Sequence, residues 1–292
     1  MYTTSLLTTL LAAPLALAAP SLYLMPRAPT DNVMCPIVLD GRVPRNFSTT
    51  PTVFDSTNAI FNADFVKGNN LTWSQILKFP AVGCSRFDGA AHSAVEVTIS
   101  DASIFQKQLG FRRAGLQFAA DSAQDASDEG IKTLHFSVKQ DPTRPLNLTH
   151  EYLNVWHEAA DFSNNQIQFQ AGTLIDNPSS KKDNFKILDR AGKQIWDTPI
   201  DYKQWQNFAI TLDYAKNETT VYYSAGTAAL ARVAGPTSIN LAGGGQFQMG
   251  VLKKPTGTSD VVNAGFQSPN LNEGLIYGGL FVEDSANGCI SL

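Results

Sequence analysis

Gln166-Ile167-Gln168-Phe169-Gln170 sets two apolar side chains on one side of an extended backbone and three glutamines on the other. Successive side chains alternate across a strand, so the stretch reads as a half-buried strand and not as a helix. The same signature recurs on either side of it. In Phe111-Arg112-Arg113-Ala114-Gly115-Leu116-Gln117-Phe118, alternation sends Ala114, Leu116 and Phe118 inward and Arg113, Gly115 and Gln117 outward; Gln246-Phe247-Gln248-Met249 repeats it. Further runs of β-formers, among them Val95 to Ile99, Lys132 to Lys139, Glu151 to His157, Phe208 to Tyr214, Thr220 to Ser224 and Leu275 to Val282, are separated by Gly, Asn, Asp and Pro clusters. Helical pattern is scarce. Many short strands in a chain of 292 residues predict an all-β fold, a β-sandwich of jelly-roll type.

Composition narrows the partner. With 43% hydrophobic and 16% charged residues the chain is globular, and its formal net charge of −4 with scattered Lys and Arg gives no footprint for nucleic acid or an anionic membrane. A neutral partner fits better. Residues 1–19 read as a secretory signal: an uncharged apolar run ends in Ala16-Leu17-Ala18, followed by Pro20. No later stretch approaches the ~20 apolar residues that span a bilayer. Residues 20–34 read as a flexible lead-in and 35–292 as one domain, so the expectation is a secreted, extracellular monomer. Sequons at Asn46, Asn70, Asn147 and Asn217 agree with passage through a glycosylating pathway. Of the three cysteines, Cys35 with Cys289 would tie the domain ends together, and Cys35 with Cys84 remains open. No Cys/His spacing resembles a metal site, and no cofactor motif is present.

The outward positions favour amides over charges. Gln117, Gln168 and Gln248 would lay neutral donors and acceptors on a sheet face, which suits the hydroxyls of a sugar chain. Trp156, Tyr152, Tyr222 and Tyr277 are candidates to stack on pyranose rings.

Longer strings carry a resemblance. Cys35-Pro-Ile-Val-Leu-Asp-Gly-Arg-Val-Pro44, Asp64-Phe-Val-Lys-Gly68, Gly110-Phe-Arg-Arg-Ala114, Lys132-Thr-Leu-His-Phe-Ser137, Arg144-Pro-Leu-Asn-Leu-Thr-His-Glu-Tyr152, Gly250-Val-Leu-Lys-Lys-Pro-Thr-Gly257 and Asn272-Glu-Gly-Leu-Ile-Tyr-Gly-Gly279 together resemble glycoside hydrolase family 131, secreted fungal β-glucanases. The likeness runs from about Cys35 to Asp284. It implies a jelly roll with an open groove, acting on β-1,3-, β-1,6- and β-1,4-linked glucans, cellulosic polymers included. It also implies two glutamates, assisted by an arginine and a histidine. Glycosidic cleavage needs such a pair, one carboxylic acid to protonate the leaving oxygen and one carboxylate to activate water or attack.

Carried over residue by residue, the resemblance assigns Glu151 to one family glutamate and Arg113 to the arginine. The second glutamate position is Gly115, on the same outward face as Arg113. The tract where the histidine would stand carries Gln248. Glu96, Glu158, Asp161 and Glu283 are the carboxylates that could replace the missing one, Glu96 first among them. Two functions therefore compete: a β-glucan hydrolase with a rearranged pair, and a lectin-like glucan-binding protein that lost its chemistry at Gly115.

Overall fold

A computed structural model describes residues 31–122 and 124–292. The signal sequence, and the lead-in up to residue 30, lie outside the described residues. The strands are β1 (Ile37–Asp40), β2 (Val43–Pro44), β3 (Leu77–Lys78), β4 (His92–Ser93), β5 (Val95–Ser100), β6 (Arg112–Gln117), β7 (Ile131–Gln140) and β8 (Glu151–Ala159). They continue with β9 (Asn165–Gly172), β10 (Asn184–Asp189), β11 (Gln194–Pro199), β12 (Gln206–Asp213), β13 (Glu218–Ala225), β14 (Ala231–Ser238), β15 (Gly245–Lys253) and β16 (Asn272–Asp284).

Two antiparallel sheets form the sandwich. One has eight strands in the order β14-β13-β12-β7-β16-β5-β3, with β1 also on β16; the other has six, β11-β10-β9-β8-β15-β6. β2 and β4 make a separate pair. The inward sets inferred from alternation meet here: Ala114, Leu116 and Phe118 of the β6 segment, Phe247 and Met249 of β15 and Phe169 of β9 join Phe136 and Phe208 in one cluster. Its centre is aromatic, with Phe136 and Phe169 centroids 4.9 Å apart and Phe169 and Phe208 4.8 Å apart. Offset and edge-on rings of this kind add to what area burial alone contributes. On β15, beside β6, a Cβ on Gly250 would stand 2.2 Å from the Ala114 carbonyl oxygen, so only glycine fits.

A disulfide joins Cys35 and Cys289, leaving Cys84 as a free thiol. It pins the segment before β1 to the segment after β16, two strands that pair with each other.

Two expected sugar platforms belong to the core instead. Tyr152 and Tyr277 are fully buried; the Tyr152 hydroxyl donates to Glu273 Oε2 at 2.6 Å, and the Tyr277 hydroxyl donates to the Gly250 carbonyl at 2.5 Å. Glu96 and Glu283 are likewise corrected. Both are fully buried in the eight-stranded sheet, Glu96 accepting from Arg144 Nε at 2.8 Å and Glu283 holding His135 Nε2 at 2.8 Å. A buried carboxylate is stable only when paired in this way, and neither reaches the other sheet's face.

Alternation also breaks at Gln166, the first glutamine of the opening stretch. An irregularity between His157 and Glu158 turns it inward, where its Oε1 lies 2.9 Å from His157 Nδ1. His157 stacks on Phe247 and meets Asp128, 3.0 Å away. Nearby Asp121 accepts from the Phe247 amide at 2.7 Å, yet burial, with the charges of Asp125 and Asp128, pushes its carboxyl up to about 8. A carboxyl raised above its unfolded value of 3.8 holds a proton that the unfolded chain releases. Its contribution is therefore complete below that value and is lost as pH climbs through about 8. Asp121→Asn should remove this loss. Each pH unit of the window is worth ~1.4 kcal/mol, so at pH 8 the variant should gain at least about 2 kcal/mol relative to its difference from wild type at pH 4. Urea midpoints at the two pH values that moved in parallel would contradict this.

Candidate functional site

The outer face of the six-stranded sheet gathers the residues singled out from the sequence. Register places Gln117 of β6 opposite Gln248 of β15, Gln248 opposite Trp156 of β8, and Trp156 opposite Gln168 of β9. The four inferred substrate-binding residues thus form one row across four strands. Four residues away on β6 and β15, and two away on β9 because register shifts intervene on β8, Arg113, Leu252, Leu153 and Gln170 make a second row.

Most of the first row is closed to solvent. Gln117 is 3% exposed, Gln248 1% and Trp156 2%; Gln168 alone stays partly open. The reason is packing above the sheet. Trp156 clusters with Leu153, Leu252 and Phe111 on this outer side, and the segment from Phe61 to Val66 flanks β6 through Asn62 and Val66. A Cβ built on Gly115 would meet the tip of the Trp156 ring at 3.7 Å and Phe65 at 3.8 Å. A Cβ at 115 would thus stand in ordinary contact with those two rings, and the rest of a longer side chain would have to pack beside them. Trp156 is accordingly a buried filler, not an open stacking platform.

Arg113 and Glu151 are not brought together. Between them lie β15 and two residues of β8, and no contact joins them. The Arg113 guanidinium lies 5.6 Å from the Phe105 ring centroid and donates to Gln108 Oε1 at 3.4 Å. Burial pulls its pKa down, and the carboxylate it senses, in opposition, is Glu158.

Of the four replacement carboxylates, Glu158 alone faces this side within the sheet. Gln248 Nε2 donates to Glu158 Oε2, while Gln248 Oε1 is buried without a hydrogen-bond partner. Asp161 sits exposed in the turn after β8, holding Ser163. Glu158 lies seven residues along β8 from Glu151, roughly 20 Å at ~3.3 Å per residue.

Glu151 itself is 4% exposed and held on both oxygens: Lys254 Nζ is 2.5 Å from Oε1, and the Ile175 amide donates to Oε2 at 2.7 Å. It lines a cavity of about 230 Å³ with Gln168, Gln170, Lys254, Asp176 and Asn177, over Leu174 and Leu188. Asp176 is exposed on the β9–β10 connection, so a second carboxylate does share the Glu151 cavity. Sequence reasoning missed Asp176, Asn177 and Lys254. They stand on loops or past a strand end, where no periodicity marks a face.

Among the described residues no group of three or more His, Cys, Asp or Glu is arranged to hold a metal, and no helix is long and apolar enough to cross a membrane. Asn46, Asn70 and Asn217 are exposed, whereas Asn147 is half-buried, its Oδ1 accepting from Thr149.

The sequence matches the family described as glycoside hydrolase 131 catalytic N-terminal domain over residues 37–288. The chain belongs to that family. Among solved structures, the family 131 β-glucanase catalytic domain from Podospora anserina aligns with a TM-score of 0.68 at 18% identity, covering 85% of this chain and 96% of that one. The catalytic domain of the family 131 protein from Coprinopsis cinerea aligns at 0.65 and 19% identity, covering 87% and 100%. No curated protein matches the sequence significantly. Both structural likenesses establish the β-sandwich. Glycoside hydrolases make up the family, and within this family 131 chain the position where the resemblance expects a second glutamate is the glycine beneath Trp156.

Proposed function

We propose that this family 131 chain is a secreted, monomeric protein that binds β-glucan and does not cleave it. The single observation that carries the reading is that position 115 holds no carboxylate and that the Trp156 and Phe65 rings stand 3.7 and 3.8 Å from where its Cβ would be. Acid and base must flank one bond at ~5 to 5.5 Å for retention or ~6.5 to 9.5 Å for inversion. On the strands of this face the two glutamates stand roughly 20 Å apart, beyond either spacing. Both are also engaged, Glu151 with Lys254 and Glu158 with Gln248. Binding needs neither condition, and the amides and paired charges of the Glu151 cavity suit sugar hydroxyls. The signal-like residues 1–19 and the disulfide support secretion.

Purified mature protein should bind laminarin or cello-oligosaccharides in calorimetry and release no reducing sugar from either over a day. A second reading, hydrolysis by Glu151 with Asp176, is favoured by their shared cavity. Reducing sugar released by wild type and abolished in both Glu151→Gln and Asp176→Asn would establish it and defeat the first.

A further inference from the structure

We propose that Asn217 carries an N-linked glycan whose first sugar sits in the hollow beside it, bridging the two sheets where β10 ends and the β12–β13 hairpin turns. The inference rests on the secretion part of the reading above and goes beyond it in naming the residue modified and what the sugar touches.

Asn217-Glu218-Thr219 is a sequon with a structural setting of its own. Asn217 closes the hairpin between β12 and β13 with a φ of 54°, a left-handed conformation in which Asn is enriched. Its Oδ1 accepts from the Leu241 amide at 3.1 Å, and its carbonyl accepts from the Ile239 amide at 2.9 Å. The amide plane is thereby fixed. Nδ2, the atom a glycan joins, donates to no other group among the described residues.

Asn217 lines an open hollow of about 540 Å³ with Asp189, Ser238, Ile239, Asn240 and Ala242. Asp189 ends β10 of the six-stranded sheet and Ser238 ends β14 of the eight-stranded one, so the hollow spans the gap between the sheets. Its polar atoms are only half used. Asp189 Oδ1 accepts from the Ala191 and Lys193 amides at 2.9 Å, and Asn240 Oδ1 accepts from the Ala242 amide at 3.0 Å. Asp189 Oδ2, Asn240 Nδ2 and the Ser238 hydroxyl have no hydrogen-bond partner among the described residues. The N-acetylglucosamine with which an Asn-linked glycan begins brings hydroxyls and an acetamide, which supply both donors and acceptors to these three groups.

Attachment precedes folding of the hairpin. The sequon hydroxyl belongs to Thr219, which is 1% exposed and donates to the Thr211 carbonyl at 2.9 Å, out of an enzyme's reach once β13 has paired. Asn217 Nδ2 displaces the diphosphate from C1 of a lipid-linked oligosaccharide: the N–C bond forms as the C–O bond breaks, and Nδ2 gives up one proton. The hairpin then closes with the sugar already in place.

The full chain, residues 1–19 included, would be expressed in yeast and mapped by mass spectrometry after enzymatic release of glycans in heavy-oxygen water, which marks each occupied Asn as labelled Asp. An occupied Asn217 is the expected result. Secreted protein with Asn217 bare would overturn the inference alone, whereas protein held inside the cell with residues 1–19 attached would remove the secretion reading and this inference with it. The seat is tested separately. Ser238→Ala with Asn240→Asp removes two donors at exposed positions and keeps the Asn240 oxygen that holds the Ala242 amide. Release of the Asn217 glycan from the folded protein by peptide N-glycosidase should be about tenfold faster in this variant than in wild type, as the loss of two neutral hydrogen bonds would give. Equal rates would overturn the seating of the sugar and so the inference.

Discussion

Trp156→Ala should destabilise the protein by about 3 to 5 kcal/mol, the range for removing a large aromatic side chain from a packed site. Its indole is 2% exposed and packs with Leu153, Leu252 and Phe111, with its tip above Gly115. At a few degrees per kcal/mol for a domain of this size, the melting temperature should fall by roughly 10 °C. A sugar platform would behave in the opposite way, since an exposed ring contributes little to stability and much to binding. A loss below ~1 kcal/mol, which is what a surface substitution costs, would show the ring to be no filler. The same geometry governs the reverse experiment. Gly115→Glu has room for its Cβ, and the rest of its side chain must be accommodated beside the Trp156 and Phe65 rings. Overpacking of this kind costs about 1 to 3 kcal/mol, and restoring the missing acid alone should yield no turnover.

Lys253→Ala is the second large effect. Its ammonium is fully buried, 2.6 Å from Glu273 Oε1, while Glu273 Oε2 accepts from the Tyr152 hydroxyl at 2.6 Å. The ammonium also lies 5.8 Å from the Tyr152 ring centroid. Removing one member of a buried pair leaves the other charge without compensation, at a cost of about 3 to 5 kcal/mol. Lys253→Met combined with Glu273→Gln removes both charges together and should cost markedly less. Urea unfolding of the single and double variants decides it: equal losses would mean that the pair contributes through shape and not through charge.

Much of the fold was legible because a strand writes its burial into sequence at every second residue. The inward sets read from the β6, β9 and β15 segments all reached the same core, and Gln117, Gln168 and Gln248 fell outward on one sheet. Errors came where the period slips. The irregularity beside His157 turned Gln166 inward, and Tyr152 and Tyr277, equally compatible with either face by composition, went to the core. Glu96 was the preferred replacement carboxylate because it alternates against apolar neighbours. Alternation identifies a side of a strand without saying what covers that side, and here the Arg144 guanidinium covers it.

By itself the sequence determined that this chain forms a β-sandwich, that it belongs with the family 131 proteins, and that position 115 lacks a carboxylate, because each of these is written in local order and residue identity. Tertiary structure alone decided that the Trp156 ring stands beside position 115, that Glu151 is held by Lys254 and the Ile175 amide, and that Asp176 shares its cavity. Those relations join residues on different strands and loops. Their distances depend on register, bulges and loop paths, which no single stretch of sequence encodes.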